Sequence, residues 1–385
     1  MPFAIYMFAL TAFALGLAEF VPIGLSDIIA GSLKVSNESV GALVSAYALG
    51  ATISAPIFSA LTAVWARKRV MLATALVFSL GSFVAASSND LTIMVIARFV
   101  AGLGHGLFLA VATSVAAQLV GGKRAGAAVA LVFGGFTIAL AIGVPISTWA
   151  GSFVSWRPLF FAIAGFGVLG LVGLMFSIKA DAAPANDNAL GAAVRGLKAL
   201  VHPRLLAGVL VTILAYIGSF GTFTYIAPLL IERAGASMAT VSVFMLVYGV
   251  MAAIGNTIGG RVTDGMGANR ASVVVVTGIT ATVLGMYLLS SSVIDMAALT
   301  AILGLLTFGA VPPLQARLLS LAELHTPESV GVAAGLNIAG FNSGIVFGSA
   351  IGAVTMGALG VAYTPLVAAI AAGLGTLVLL AQLRK

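Results

Sequence analysis

Three ionisable residues lie inside apolar segments of this 385-residue chain. Glu19 lies in the run ALGLAEFVPIGL, and Arg98 and His105 lie in ARFVAGLGHG. Charged side chains are costly in hydrocarbon, so those that are present usually face a bundle interior or a watery cavity and mark an ion pathway. These three residues are therefore candidates for taking up and releasing a proton within a membrane.

Glu19 and Arg98 are predicted to lie at the same depth. Each is eight residues inside an acid that marks the outer membrane edge, Asp27 for Glu19 and Asp90 for Arg98, which corresponds to about 12 Å along a helix. His105 is seven residues beyond Arg98, so it lies on nearly the same helix face. Burial favours a neutral carboxyl group and a nearby arginine favours the carboxylate, so Glu19 could exchange a proton as the two influences change.

Each of these residues also has a structural interpretation. Glu19 could be a hydrogen-bonded structural acid, Arg98 one member of a static pair, and His105 a neutral histidine that bridges helices. The glycines of GLGHG resemble a phosphate loop only superficially, because a nucleotide fingerprint needs a preceding strand. Close helix packing explains these glycines better.

The composition identifies an integral membrane protein that must position these residues. Hydrophobic residues make up 61% of the chain, charged residues 8%, and the mean hydropathy is +1.17. Continuous apolar runs select helices over a barrel. The net charge of +7 is assigned to membrane topology and not to nucleic acid. The chain has no cysteine, which excludes disulfides and thiolate metal sites, and we predict no cofactor and no metal.

Twelve spans are predicted, at roughly 3–27, 39–62, 70–88, 91–119, 126–150, 158–178, 205–231, 239–260, 271–290, 295–321, 329–353 and 362–382. An even number of spans places both termini on one side. That side collects Arg67, Lys68, Arg69, Lys123, Arg124, Lys179, Arg195, Lys198, Arg204, Arg261, Arg270, Arg384 and Lys385, against Lys34, Arg157 and Arg233 opposite. The positive-inside rule makes the shared side cytoplasmic.

The spans are predicted to form two six-helix halves, 1–178 and 205–385, joined by a cytoplasmic linker at 179–204. The linker stretch VRGLKALV could lie on the membrane surface as an amphipathic helix, although a solvated connector is the favoured interpretation. An internal repeat at an offset of 201 residues supports the halves: SALTAVWARKR overlies GRVTDGMGANR, and small residues of the fifth span overlie glycines of the eleventh. At this offset Glu19, Arg98 and His105 correspond to Phe220, Leu299 and Leu306, all apolar.

Three further groups of residues are candidates for transport roles. Small residues at four-residue spacing in the fifth span, with a proline among them, permit tight helix crossing or a moving contact: Gly135, Gly143 and Pro145. A cytoplasmic gate is predicted at Arg67, Lys68, Arg69, Gly260, Asp264, Gly267 and Arg270, with a plain solvated turn as the alternative. A substrate cavity is predicted at Tyr216, Phe220, Phe223, Tyr225, Asn256, Asn337 and Asn342, with helix or lipid contact as the alternative.

These segments resemble the major facilitator superfamily, in its twelve-span drug:proton antiporter group, and within it the bacterial sugar, purine and chloramphenicol-type efflux proteins. The resemblance covers essentially the whole chain, through GLAEFVPIGL, ARFVAGLGHG, GVPISTWAG, WRPLF, GNTIGGRVTDGMG and GLNIAGFNSG. It implies that Arg98 takes part in proton coupling and that Gly143 with Pro145 form the antiporter motif. The usual acid after the second span is replaced by Ala63, and only Asp264 in the second half retains it.

We therefore expect a monomeric exporter in a bacterial inner membrane, with no enzymatic activity. It would exchange protons for a small neutral or weakly polar molecule by alternating access. A proton symporter for uptake and a uniporter with a structural Glu19 remain alternatives on the same fold. An intramembrane enzyme fits poorly, because there is no HExxH motif and no serine–histidine pair at a shared depth.

Overall fold

The structure, a computed structural model, describes residues 1–35, 37–121, 124–143, 146, 150, 154–178 and 189–384. These residues form helices and connecting turns, with no strand among them. They contain twelve helical segments that are long and apolar enough to cross a membrane. The predicted all-α class with twelve spans is therefore confirmed.

Among the described residues, the first six spans comprise seven helices. The first span is divided into α1 and α2, and in the fifth span α6 is followed by a π-helical turn, Ala139–Gly143. The helices are α1 (Phe3–Gly24), α2 (Ser26–Leu33), α3 (Asn37–Leu61), α4 (Arg67–Ser87), α5 (Leu91–Val120), α6 (Ala125–Ile138) and α7 (Trp156–Ser177).

A short helix, α8 (Ala189–Leu200), precedes the last six spans. The seventh and tenth spans are each interrupted, so eight helices follow it. They are α9 (Pro203–Phe223), α10 (Ile226–Ala234), α11 (Met238–Met266), α12 (Ala268–Leu288), α13 (Val293–Gly309), α14 (Val311–His325), α15 (Val330–Leu359) and α16 (Thr364–Leu383).

The internal repeat is visible in where the first and seventh spans break. Leu25 separates α1 from α2 with φ −110° and ψ 9°, and Tyr225 precedes α10 with φ −109° and ψ 18°. The backbone dihedral angles of both residues lie outside the α-helical region and are nearly the same. The sequence repeat therefore extends to backbone conformation, as expected for a fold built from two structural repeats.

The repeat also recurs where helices cross. A Cβ atom at Gly102 would overlap the carbonyl oxygen of Tyr47, so only glycine allows α5 to approach α3 this closely. A Cβ atom at Gly304 would crowd the carbonyl oxygen of Tyr248 in the same way, where α13 crosses α11. Tyr47 and Tyr248 are thus equivalent residues of the two copies.

The described chain divides into two compact units. The first contains Met1–His202 and Ala322–Ala339, and the second contains Pro203–Leu321 and Gly340–Lys385. In the first unit α5 packs against α3 and α4, and α1 packs against α6 and α7. In the second unit α11 packs against α13, and α16 packs against α9 and α12.

Candidate functional site

Glu19 and His105 meet in the first unit. Glu19 lies on α1 and His105 on α5, and the distance from His105 Nδ1 to Glu19 Oε2 is 3.5 Å. The imidazole is 2% exposed and the carboxyl group 12% exposed. The contact is slightly longer than an ordinary hydrogen bond, so a small helix movement would make or break it.

Arg98 is buried one step away from this pair. Its Nε donates a hydrogen bond to the Leu43 carbonyl oxygen at 3.3 Å, and its guanidinium carbon lies 4.1 Å from the centroid of the Tyr47 ring. Glu19 and Arg98, both within the described part of the chain, form no ion pair with each other at 4 Å or less. The sequence predicted that the two lie at one depth. In the structure the Glu19 carboxyl group contacts His105, and the Arg98 guanidinium lies over the Tyr47 ring.

Tyr47 links Arg98 and His105 to α1, the helix that carries Glu19. Its ring centroid is 5.2 Å from that of His105, and its hydroxyl donates a hydrogen bond to the Leu15 carbonyl oxygen on α1 at 3.2 Å. The side chain therefore touches α1 and α5 while belonging to α3. Sequence reasoning missed Tyr47 because a lone tyrosine in an apolar run looks like a lipid contact. Its repetition as Tyr248 at the 201-residue offset was the available signal.

The fifth span closes the site on another side. Phe136 of α6 lies 5.8 Å from His105 and 5.2 Å from Phe20, measured between ring centroids. A Cβ atom at Gly135 would overlap the Ala9 carbonyl oxygen, which shows how tightly α6 crosses α1.

Gly143, from the same predicted antiporter motif, lies equally close to α1. A Cβ atom there would overlap the Leu17 side chain. Both glycines therefore pack against α1, the helix that carries Glu19. Any motion of the fifth span would displace that helix. The third predicted motif residue, Pro145, lies outside the described residues.

In the second unit, the equivalent positions hold hydroxyl groups. The Tyr47–Gly102 and Tyr248–Gly304 contacts set an offset of 202 for the fourth and tenth spans, so Arg98 and His105 correspond to Thr300 and Thr307. The matching breaks in the first and seventh spans set an offset of 200, so Glu19 corresponds to Ser219. All three hydroxyl residues are fully buried, at 0% exposure. A constant offset of 201 ignores these one-residue shifts. It therefore pointed to the adjacent apolar residues, Phe220, Leu299 and Leu306.

Aromatic side chains pack against one another in the same unit. Phe223 stacks on Tyr248 with 3.8 Å between ring centroids, and Tyr216 lies 6.0 Å from Phe220. The Tyr216 hydroxyl donates to the Thr307 carbonyl oxygen at 3.0 Å.

Tyr225 lies apart from the stacked rings. Its hydroxyl donates to the Ser349 carbonyl oxygen on α15 at 2.7 Å. The four predicted aromatic residues therefore all belong to the second unit, and two of them tie the seventh span to other helices. Tyr248, which the sequence did not single out, stacks directly on one of them.

The three predicted asparagines are buried but do not share one unit. Asn256 and Asn337 are fully buried and Asn342 is 8% exposed. Asn256 and Asn342 belong to the second unit, whereas Asn337 lies in the stretch of the eleventh span that belongs to the first.

The predicted gate residues of the first half have distinct environments. Lys68 Nζ donates to the carbonyl oxygens of Met175 and Ile178, at 2.7 and 2.6 Å, and so caps the end of α7. The Arg67 guanidinium lies beside Gly331, and Arg69 is exposed.

The gate residues of the second half surround the turn between α11 and α12. Gly260 is buried, Asp264 is half-buried and Arg270 is exposed. Gly267 has φ +83°, a conformation that favours glycine and makes the tight turn possible. In the part of the chain that the structure describes, no cluster of three metal-ligating side chains occurs.

Comparison with known proteins identifies the family to which this fold and site belong. Residues 8–323 match the profile of the Major Facilitator Superfamily. The chain belongs to this superfamily, and it is a multi-pass membrane protein and a secondary transporter.

Individual relatives agree with this assignment. The chain is 34% identical to the inner membrane transport protein YdhP of Escherichia coli O157:H7, over 98% of this chain and 95% of that protein. It is 34% identical to a chloramphenicol resistance protein of Streptomyces lividans, over 69% of this chain and 67% of that protein. The crystal structure of the human organic anion transporter MFSD10 has the same fold, with a TM-score of 0.76 at 16% identity over 98% of this chain and 97% of that one.

Proposed function

We propose that this transporter is a proton-coupled exporter of a small neutral or weakly polar molecule. It would act as a monomer in a bacterial inner membrane, with both termini on the cytoplasmic side. The observation that carries the proposal is the buried contact between Glu19 and His105 beside Arg98. Buried ionisable groups are costly to keep, so a working role in moving a proton accounts for three of them in one place.

The charges of the site support Glu19 as the group that carries the moving proton. Arg98 carries a fixed positive charge, and a second positive charge on His105 beside it would be repelled. His105 therefore serves best as a neutral hydrogen-bond partner for the Glu19 carboxyl group. Because the 3.5 Å contact joins α1 to α5, a relative shift of these helices would change how well the carboxylate is stabilised. Such a shift is expected when the transporter alternates between its two access states.

The cargo class is inferred from the second unit. Where the first unit has a carboxyl, a guanidinium and an imidazole, the second has the buried hydroxyls of Ser219, Thr300 and Thr307. It also has stacked aromatic rings, among them Tyr216, whose hydroxyl donates to the Thr307 carbonyl oxygen. Hydroxyls and ring faces suit a neutral molecule with hydrogen-bonding groups and an apolar body. They offer no countercharge to an organic ion.

The direction of transport is inferred from a relative. The Streptomyces lividans relative is named for chloramphenicol resistance, and a transporter confers resistance by removing a drug. Export against a gradient needs an energy source, which proton entry through Glu19 would supply. One pH unit supports about tenfold accumulation for each proton exchanged.

The decisive experiment measures proton release when cargo is added to purified protein in weakly buffered detergent. Chloramphenicol, sugars and nucleosides are screened with wild type, Glu19→Gln and the control Glu232→Gln, which removes an exposed carboxylate of α10. We expect wild type and the control to release a proton, and Glu19→Gln to bind cargo without release.

Three results would change the proposal. Equal proton release by Glu19→Gln would remove Glu19 from the mechanism. Cargo binding without release in every variant would identify a uniporter. Proton uptake with cargo, followed by co-directional movement of both in proteoliposomes, would identify a symporter.

A further inference from the structure

The linker helix α8 has an apolar face that is exposed in the described part of the chain. Leu190, Val194 and Leu197 of α8, with Val201 directly after its last residue, are 77%, 42%, 41% and 67% exposed. Their spacing of four, three and four residues places them in one row along the helix. Large apolar side chains scattered singly on a surface need no explanation, but a continuous row indicates a contact surface.

The opposite face of α8 is packed against the protein. Ala192, Gly196 and Ala199 are buried, and the Gly196 backbone is pressed against Ala60 of α3. A Cβ atom at Gly196 would lie 3.0 Å from both the Cα and the Cβ of Ala60. The apolar row therefore points directly away from the first unit.

The position of Ala60 places α8 at the membrane boundary. The second span ends one residue later, at Leu61, and Trp65 follows in the connecting turn. Leu61 is 45% exposed and Trp65 52% exposed, so apolar surface continues from the span to the level of α8. Tryptophan is characteristic of the membrane–water interface.

The charge of α8 suits a lipid surface. The helix carries Arg195 and Lys198 and no acidic residue. Arg195 pairs with Glu328 at 2.6 Å, which ties the helix to the turn before α15 within the first unit. Lys198 is exposed beside the apolar row. Interfacial helices combine an apolar face with basic residues that meet anionic headgroups.

We propose that α8 lies on the membrane surface, with Leu190, Val194, Leu197 and Val201 inserted among the acyl chains of the adjacent leaflet. Lys198 then sits at the level of the headgroups. The inference is independent of the proton-coupling role of Glu19, since it concerns a different surface. It favours the surface helix over the solvated connector, the two interpretations that the sequence left open.

The test uses the absence of cysteine from the chain, so that single-cysteine variants need no further changes. Leu197→Cys and its neighbour Lys198→Cys are each labelled with an environment-sensitive fluorophore and placed in nanodiscs of phosphatidylcholine and phosphatidylglycerol. We expect the probe at 197 to show blue-shifted emission, strong quenching by brominated lipid and protection from aqueous iodide. The probe at 198 should show redder emission and stronger iodide quenching.

Two further labelled positions and a change of lipid serve as controls. Leu190→Cys and Val201→Cys should behave like position 197, which also covers the case in which one variant folds poorly. Replacing the anionic lipid by neutral lipid should reduce the blue shift at 197, since Lys198 would lose its headgroup partner. Equal iodide quenching at all four positions would show a solvated connector and overturn the proposal. Protection from iodide only in nanodiscs holding two copies would assign the row to a second chain and would also overturn it.

Discussion

Replacing Tyr47 tests whether its ring holds Arg98 away from Glu19. Tyr47→Phe removes only the hydrogen bond to the Leu15 carbonyl oxygen, a loss of about 1 kcal/mol in the free energy of unfolding. Tyr47→Leu also removes the cation–π contact at 4.1 Å, worth about 2 kcal/mol in a desolvated site. The phenylalanine variant should therefore keep the arrangement of the ionisable residues, and the leucine variant should release the guanidinium.

A released guanidinium would favour the Glu19 carboxylate. If the whole of that 2 kcal/mol were transferred to Glu19, the pH midpoint of transport would fall by up to about 1.5 units, because one unit corresponds to about 1.36 kcal/mol. The assay is transport by proteoliposomes over a range of pH, with thermal unfolding in detergent to confirm folding. We expect the wild-type profile for Tyr47→Phe and a profile shifted to lower pH for Tyr47→Leu.

The second copy of the repeat supplies the matched control. Tyr248 is equally buried, at 1% exposure, and crosses a glycine in the same way, but it stacks on Phe223 instead of on a cation. Tyr248→Leu should lose stability through the same loss of packing and leave the pH midpoint unchanged. An identical pH profile for Tyr47→Leu and Tyr248→Leu would refute the role assigned to the Tyr47 ring.

Three further predictions concern packing, cargo and capping. Gly102→Ala should destabilise the protein by about 3 kcal/mol in thermal unfolding, since its Cβ atom would overlap the Tyr47 carbonyl oxygen. Its control, Gly165→Ala, should be neutral or slightly stabilising, because nothing lies within 4 Å of a Cβ atom there. Equal melting temperatures for the two variants would contradict the close crossing. Thr307→Val should raise the KM for cargo and leave the pH midpoint in place, and a shifted midpoint would instead link the second unit to proton handling. Lys68→Met should lose about 1 kcal/mol of stability, because the end of α7 loses its cap. An unchanged unfolding curve would show that this cap does not stabilise the protein.

The sequence was sufficient for the class and the spans, because hydrocarbon imposes a length and a composition that can be read locally. Twelve apolar runs predicted twelve helices, and an acid eight residues from a polar edge predicted a depth for Glu19. The repeat could also be read from residue types. Its exact register could not, because the chain gains or loses single residues between spans, and only the glycine contacts of α5 and α13 show that Arg98 corresponds to Thr300.

Partners across helices depended on tertiary structure. Depth favoured Arg98 over His105 as the neighbour of Glu19, because His105 lies seven residues further along α5. In the structure the carboxyl group contacts His105, since packing sets how α1 is rotated and placed along that face of α5. The close crossing at Gly102 brings the Tyr47 ring against both Arg98 and His105, and the Glu19 carboxyl group contacts the histidine. Likewise, the sequence indicated that α8 could be amphipathic, but not which of its faces is covered. That depends on the surface against which the helix packs, and the structure shows that Gly196 packs against Ala60.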